Sequence, residues 1–111
     1  MIEALFRERN AVKLYPFIAI YKQLSKKESP VLFGVSTSKK SFKKAVQRNR
    51  IKRLIREAYR KNKYILYDQL TECDKTYAVL FLYIGKEEPL YSSIEEATKA
   101  MLHKLAKKIQ P

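Results

Sequence analysis

The segment KKAVQRNRIKRLIREAYRKNK, residues 43 to 63, sets ten Lys and Arg against the single acid Glu57. Within it Ile51, Leu54, Ile55, Ala58 and Asn62 recur at helical spacing. At 100° per residue they fall inside an arc of roughly 100°, while Lys52, Arg53, Arg56, Arg60 and Lys63 fill the other side. A strand would scatter these apolar residues over both faces, so the segment is a helix that must bury one stripe against another layer. Residues 36 to 63 hold twelve basic residues (Lys39, Lys40, Lys43, Lys44, Arg48, Arg50, Lys52, Arg53, Arg56, Arg60, Lys61 and Lys63) and one acid. That local charge of +11 is most of the net +13 of the 111-residue chain. A solvated helix face usually interleaves acids at i,i+4, and here Glu57 alone can pair, with Arg53 or Lys61. Packed cations of this kind are tolerated where a polyanion neutralises them, and nucleic acid is the usual one.

The flanking sequence predicts the layer that the stripe needs. Residues 2 to 8 read as a short helix with Ile2, Leu5 and Phe6 on one side. A short strand is expected around Val12 to Tyr15, a break at Pro16, and a second strand over 17 to 24, FIAIYKQL. Its alternation puts Phe17, Ala19 and Tyr21 on one face and Ile18 and Ile20, expected to supply core, on the other. VLFGVST, 31 to 37, is a third strand. Ser41 is the expected N-cap of the basic helix, which runs about 30 Å at ~1.5 Å per residue and ends near Asn62. YAVLFLYI, 77 to 84, reads as a buried strand, since it falls far short of the ~20 residues that span a bilayer. Ser92 or Ser93 with Glu95 or Glu96 forms a capping-box signal for a last helix bearing Ile94, Ala97, Met101, Leu105 and Ile109. The order is α-β-β-β-α-β-α, an α+β fold with helices on a small mixed sheet, in one domain over residues 1 to 111.

Catalysis by side chains has little to work with. Cys73 is the only cysteine and His103 the only histidine, so neither a disulfide nor a Cys/His metal set is indicated, and Cys73 is expected in a turn. Glu87-Glu88 and Glu95-Glu96 are neighbours in sequence and read as helix-start or loop acids. No stretch at the N-terminus resembles a signal peptide, which points to the cytoplasm.

The run from Phe33 to Tyr59, FGVSTSKKSFKKAVQRNRIKRLIREAY, is more specific than its charge. It resembles the bacterial ribonuclease P protein subunit, whose Gly-x-Ser-x-Ser-Lys-Lys strand end is followed by Ala-Val-x-Arg-Asn-Arg-x-Lys-Arg-Leu-x-Arg-Glu-Ala. The element order matches from about residue 2 to 109. Three departures stand out: SFKK (41 to 44) replaces a connection that usually contains Gly, Ile2 and Phe6 occupy places where the family commonly has two aromatics, and Arg9 stands where a Gly commonly follows the first helix.

The resemblance implies an α+β fold with a left-handed crossover. It also implies a ribonucleoprotein enzyme that removes the 5′ leader of precursor tRNA, with Mg²⁺ held by the RNA subunit, no organic cofactor, and no catalytic or metal-binding residue in this chain. Its partners would be ribonuclease P RNA and precursor tRNA, with no membrane and no obligate protein partner. Contact with the catalytic RNA would fall on Lys39, Lys40, Lys43, Lys44, Arg48, Asn49, Arg50, Lys52, Arg53, Arg56 and Arg60. A cleft for the single-stranded leader would take Phe6, Phe17, Ala19 and Tyr21, because bases stack on aromatic faces without sequence preference. The rival reading is a ribosomal or RNA-chaperone protein, whose basic residues more often extend into tails. A helix-turn-helix would need a helix where the strand-like VLFGVSTS stands.

Overall fold

A computed structural model describes residues 10–25, 28–70 and 75–109. The helix expected over 2 to 8, with Phe6, and the turn expected at Cys73 lie outside these residues. The described elements are β1 (Ala11–Leu14), β2 (Phe17–Ser25), β3 (Val31–Thr37), α1 (Ala45–Asn62), α2 (Tyr64–Leu70), β4 (Lys75–Tyr83) and α3 (Tyr91–Lys108). The four strands form one mixed sheet in the order β1-β2-β4-β3. β1 with β2 and β2 with β4 are antiparallel, whereas β3 and β4 run parallel. Parallel neighbours need a crossover, and α1 and α2 supply it. The most apolar run of the chain becomes an inner strand, between β2 and β3, where a near-continuous hydrophobic sequence is tolerated on both faces.

Register decides what each face carries. Leu14, Phe17, Tyr83 and Thr37 align across the sheet, as do Val12, Ala19, Phe81 and Val35, then Tyr21, Val79 and Phe33. This is the face that the helices cover. The Phe33 ring lies parallel on Tyr59 of α1 at 3.7 Å between centroids, and Phe81 packs on Phe17 at 5.2 Å and on Phe33 at 4.9 Å. Ile51 and Ile55 of α1, and Ile94, Met101, Leu102 and Leu105 of α3, complete the same core with no solvent exposure. The opposite face carries Ile18, Lys22, Leu24, Leu80 and Leu82, each half-buried, and Leu32, which is exposed. Ile20, also on that side, is enclosed as expected. The other expected roles of the two β2 faces are reversed: Phe17 and Ala19 are core, and Ile18 lies on the more open side.

Helix α1 buries Ile51, Ile55, Ala58, Tyr59 and Asn62, with Leu54 half-buried. The stripe is the expected one widened by Tyr59. Ser41 does not cap it. The helix begins at Ala45, and Lys44 stands at the N-cap with no side-chain hydrogen bond. The residues between are spent on a turn built on Ser38, whose Oγ accepts from the Lys40 and Ser41 amides at 3.1 and 3.4 Å. That turn seats the buried Phe42 against Tyr83, ring to ring at 6.0 Å. Burying a phenylalanine stabilises by roughly 1.5–3 kcal/mol, more than a cap of ~1 kcal/mol, so the connection serves Phe42 and the helix starts after it.

At its other end α1 stops where expected. Asn62 is buried; its Nδ2 donates to the Ala58 carbonyl at 2.8 Å and to Glu95 Oε2 at 3.3 Å, and the Tyr91 hydroxyl donates to the same oxygen at 3.3 Å. This set joins the end of α1 to the start of α3. The short helix α2 is absent from the sequence-based expectation; it buries Ile65, Leu66 and Leu70, a pattern too brief to show a period. The predicted capping box does not form. α3 starts one residue before Ser92, Leu90 is its N-cap, and no side chain caps it; Ser92 and Ser93 are exposed within the first turn.

Ile55→Ala should lower unfolding free energy by about 2–5 kcal/mol, because the site is fully enclosed. Arg53→Ala, on the outward face, should stay within about 0.5 kcal/mol of the parent. Urea unfolding monitored by circular dichroism separates the two, and equal destabilisation would contradict the assigned faces.

Candidate nucleic-acid interface

The outward face of α1 is a line of Asn49, Arg53, Arg56 and Arg60, spaced i, i+4, i+7 and i+11, all exposed, with half-buried Lys52 on one flank. Because the opposite stripe is packed on the sheet, the backbone that carries these side chains is held in place. The turn that precedes the helix exposes Lys39, Lys40, Lys43 and Lys44. The helix has no acid in its first turn. Cations therefore surround the end of α1 whose free amides already favour an anion.

Protein partners separate the basic residues into two groups. Arg48 is half-buried, and its Nη1 donates to the carbonyls of Phe42 at 2.8 Å and Lys43 at 2.9 Å. It pins the Ser38 turn to the helix. Arg50 faces Glu88 of the β4–α3 connection at 3.6 Å. Arg60 grips Glu57 with two bonds, Nε to Oε2 at 3.1 Å and Nη2 to Oε1 at 2.6 Å. The Arg60 hydrogen bond, with smaller help from its charge and that of Lys61, holds the Glu57 carboxyl below its ordinary range. Both groups are solvent-exposed, so the pair adds little stability. Lys61 and Lys63 sit over the rings of Tyr91 and Tyr67, each at 5.3 Å. Among the described residues, Lys39, Lys40, Lys43, Lys44, Lys52, Arg53 and Arg56 form no ion pair with a protein carboxylate. These are the charges left for an external anion. Asn49 is exposed in their midst rather than serving as a cap or turn residue.

Of the residues expected in a leader cleft, Phe17, Ala19 and Tyr21 share one face of β2, the face packed against the core. Phe17 and Ala19 are 0% exposed, so neither presents a face to a base. Tyr21 is half-buried on the same side and packs against the core; Phe6 is outside the described residues. Tyrosines elsewhere in the core also serve packing. Burial raises the Tyr59 phenol far above its ordinary value, reinforced by neighbouring Tyr67, and burial likewise raises Tyr83, whose hydroxyl donates to the Glu87 carbonyl at 2.9 Å. Both phenols stay protonated at physiological pH. Among the described residues no three His, Cys, Asp or Glu side chains converge to form a metal site, and His103 is exposed on α3.

A four-stranded mixed sheet carrying a cationic crossover helix, with its cations directed away from the core, is an α+β fold that presents a surface suited to a polyanion such as nucleic acid. The family profile described as Ribonuclease P matches residues 1–108. The ribonuclease P protein component of Porphyromonas gingivalis strain W83 is 38% identical over 108 residues, covering 95% of this chain and 77% of that one. Its counterpart in Pseudoalteromonas translucida is 40% identical over 94 residues, covering 85% and 59%. Two solved structures share the fold. The RNase P protein of Thermotoga maritima superposes with a TM-score of 0.72 at 19% identity, covering 93% of this chain and 89% of that one. For the Staphylococcus aureus RNase P protein the figures are 0.67, 22%, 96% and 88%. The chain belongs to the ribonuclease P protein family, and its place is as a subunit of that endoribonuclease.

The two groups of basic residues should respond differently to truncation. Arg48→Ala removes two charge-assisted bonds to carbonyls and should cost about 1.5 kcal/mol of stability, with faster hydrogen exchange at the Phe42 amide, which bonds the Ser38 carbonyl at 3.1 Å. Arg53→Ala should leave the melt and that exchange rate unchanged. If Arg48→Ala leaves the Phe42 amide as protected as in the parent, the pinning role is wrong.

Proposed function

We propose that α1 and the Ser38 turn bind the RNA subunit of ribonuclease P, and that the protein assists that RNA in removing the 5′ leader of precursor tRNA in the cytoplasm. The observation that carries this reading is the division of charge just described. Arg53, Arg56, Lys52 and four turn lysines have no protein carboxylate to neutralise them, yet are fixed on a helix anchored by its other face. Arg can fork onto two phosphate oxygens, and Lys neutralises one as a point charge. Arg48 contributes indirectly, by holding the turn in place, and Arg50 must leave or share Glu88 to reach a phosphate. Among the described residues no three His, Cys, Asp or Glu side chains converge to hold Mg²⁺; the metal of the reaction is proposed to be held by the RNA.

The leader contact is proposed for the sheet face opposite the described helices. With Phe17 and Ala19 enclosed, strand alternation leaves Ile18, Leu24, Leu80, Leu82 and Leu32 as the described apolar surface that an unpaired strand can touch. Leu32, at the sheet edge and 41% exposed, can be changed without opening a cavity. Leu32→Glu should weaken precursor tRNA binding to the reconstituted holoenzyme several-fold more than mature tRNA binding, since mature tRNA carries no leader. Equal weakening of both, or of neither, removes this face from the leader path.

The whole reading is tested by reconstitution with the same organism's ribonuclease P RNA. The protein alone should not cleave precursor tRNA, but it should stimulate RNA-catalysed cleavage at low Mg²⁺. Arg53→Ala with Arg56→Ala should weaken RNA binding and make its salt dependence less steep, by about 0.7–0.9 in log-log slope for each phosphate no longer neutralised. Metal-dependent cleavage by RNA-free protein at the mature 5′ end would overturn the reading.

A further inference from the structure

A second cationic surface lies on α3, remote from the first. Lys104, Lys107 and Lys108 rise around a shallow hollow of about 610 Å³ whose floor is Leu14 of β1 and Ala100, with His103 on its rim. The spacing creates two rows one helical repeat apart, His103–Lys107 and Ala100–Lys104–Lys108, all solvent-exposed. Lys104 is steadied by donating to the Lys13 carbonyl at 3.0 Å. None of the three lysines has an acid three or four residues away along the helix. Among the described residues, none forms an ion pair with a carboxylate. Asp68 of α2 lies on the far flank, in a separate hollow with His103 and Lys107.

Cations in the last turn of a helix are often explained by the macrodipole, and Lys107 and Lys108 meet that description. Lys104 does not, because it stands a full turn earlier. The apolar face of α3 is committed to the core, so this is not an amphipathic helix awaiting a bilayer. The first surface is far away. α1 ends where Asn62 meets Glu95, and Lys107 is twelve residues further along α3, or ~18 Å. That exceeds two Debye lengths of ~8 Å at physiological salt, so one phosphate group cannot serve both surfaces.

We propose that this trough is a second, independent contact for an RNA sugar-phosphate backbone, with Lys104, Lys107 and Lys108 neutralising phosphates while Leu14 and Ala100 accommodate the sugar edge. An extended polyanion is the ligand that fits, since the lining of the trough offers three lysines and no carboxylate. The inference rests on the RNA-binding reading of α1 but places a distinct site at the opposite end of the helical layer.

The test uses the full chain and its ribonuclease P RNA. Lys104→Gln, Lys107→Gln and Lys108→Gln combined should weaken RNA binding about ten-fold near physiological salt and lower the log-log salt slope by about 2. Combined with Arg53→Gln and Arg56→Gln, the effects should add, because the sites are too far apart to share a partner. In the unaltered protein, saturating RNA should shield Lys107 and Lys108 from acetylation while exposed Lys75 on β4 stays reactive. That second measurement stands even if the triple variant proves unstable. Failure of the parent to bind the RNA would overturn both readings. Normal parental binding with unchanged affinity, slope and acetylation at the trough would overturn only this one. So would unchanged RNA binding accompanied by abolished binding to anionic vesicles, since that outcome assigns the lysines to a membrane surface.

Discussion

The docking of α1 on the sheet is the contact on which the rest depends. Tyr59 stacks flat on Phe33 of β3, and Ile51, Ile55 and Ala58 fill the space around it. The apolar burial must outweigh the repulsion of a helix whose other side is almost wholly cationic. Each enclosed isoleucine is worth roughly 1.5–3 kcal/mol, whereas exposed like charges at i,i+4 cost only tenths of a kcal/mol apiece. The packing term wins comfortably, which is why the chain can concentrate charge on one helix and still fold. The same docking fixes the direction in which Arg53 and Arg56 point.

The local polar bonds make sense as supports for that docking. The Ser38 turn and the two carbonyls held by Arg48 position the entry to α1, and Phe42 anchors the turn to Tyr83. The hydrogen bonds among Asn62, Glu95 and Tyr91 secure its exit against α3. A conspicuous arginine in a basic motif can therefore serve the protein rather than its ligand. Arg48 does so by geometry, and Arg50 and Arg60 are partly engaged by Glu88 and Glu57. Charge density in a sequence overstates the charge available to a partner, because it cannot show which carboxylates and carbonyls the fold brings near.

Catalytic assistance by such a protein follows from display rather than chemistry. A positive, rigid surface lowers the repulsion that RNA phosphates exert on one another and on a second RNA strand. The α3 lysines, on the proposal made for them, extend that effect beyond α1. The sheet face opposite the described helices has a different, apolar character.

By itself the sequence determined the α+β class, the three strands up to Thr37, the end of α1 at Asn62, the apolar stripe through Ile51, Ile55 and Ala58, and the concentration of charge that points to nucleic acid. These are legible because they rest on periodicity and composition over many residues. It did not determine where α1 and α3 begin. Ser41 and the Ser92-Glu95 pairing carry capping signals, but Phe42 is drawn into the core and α3 starts at Tyr91, so tertiary burial outweighs local caps of ~1 kcal/mol. Nor did it show α2, whose seven residues are too few to reveal a period. Alternation along β2 separates Phe17, Ala19 and Tyr21 from Ile18 and Ile20, yet nothing in the alternation says which face the helices cover. Only the tertiary structure decided that, through the stacking of Tyr59 on Phe33 and the register that places Phe33, Phe81 and Phe17 on one side of the sheet. A two-sided strand has two equally good local readings, and the choice between them is made by helices distant in sequence.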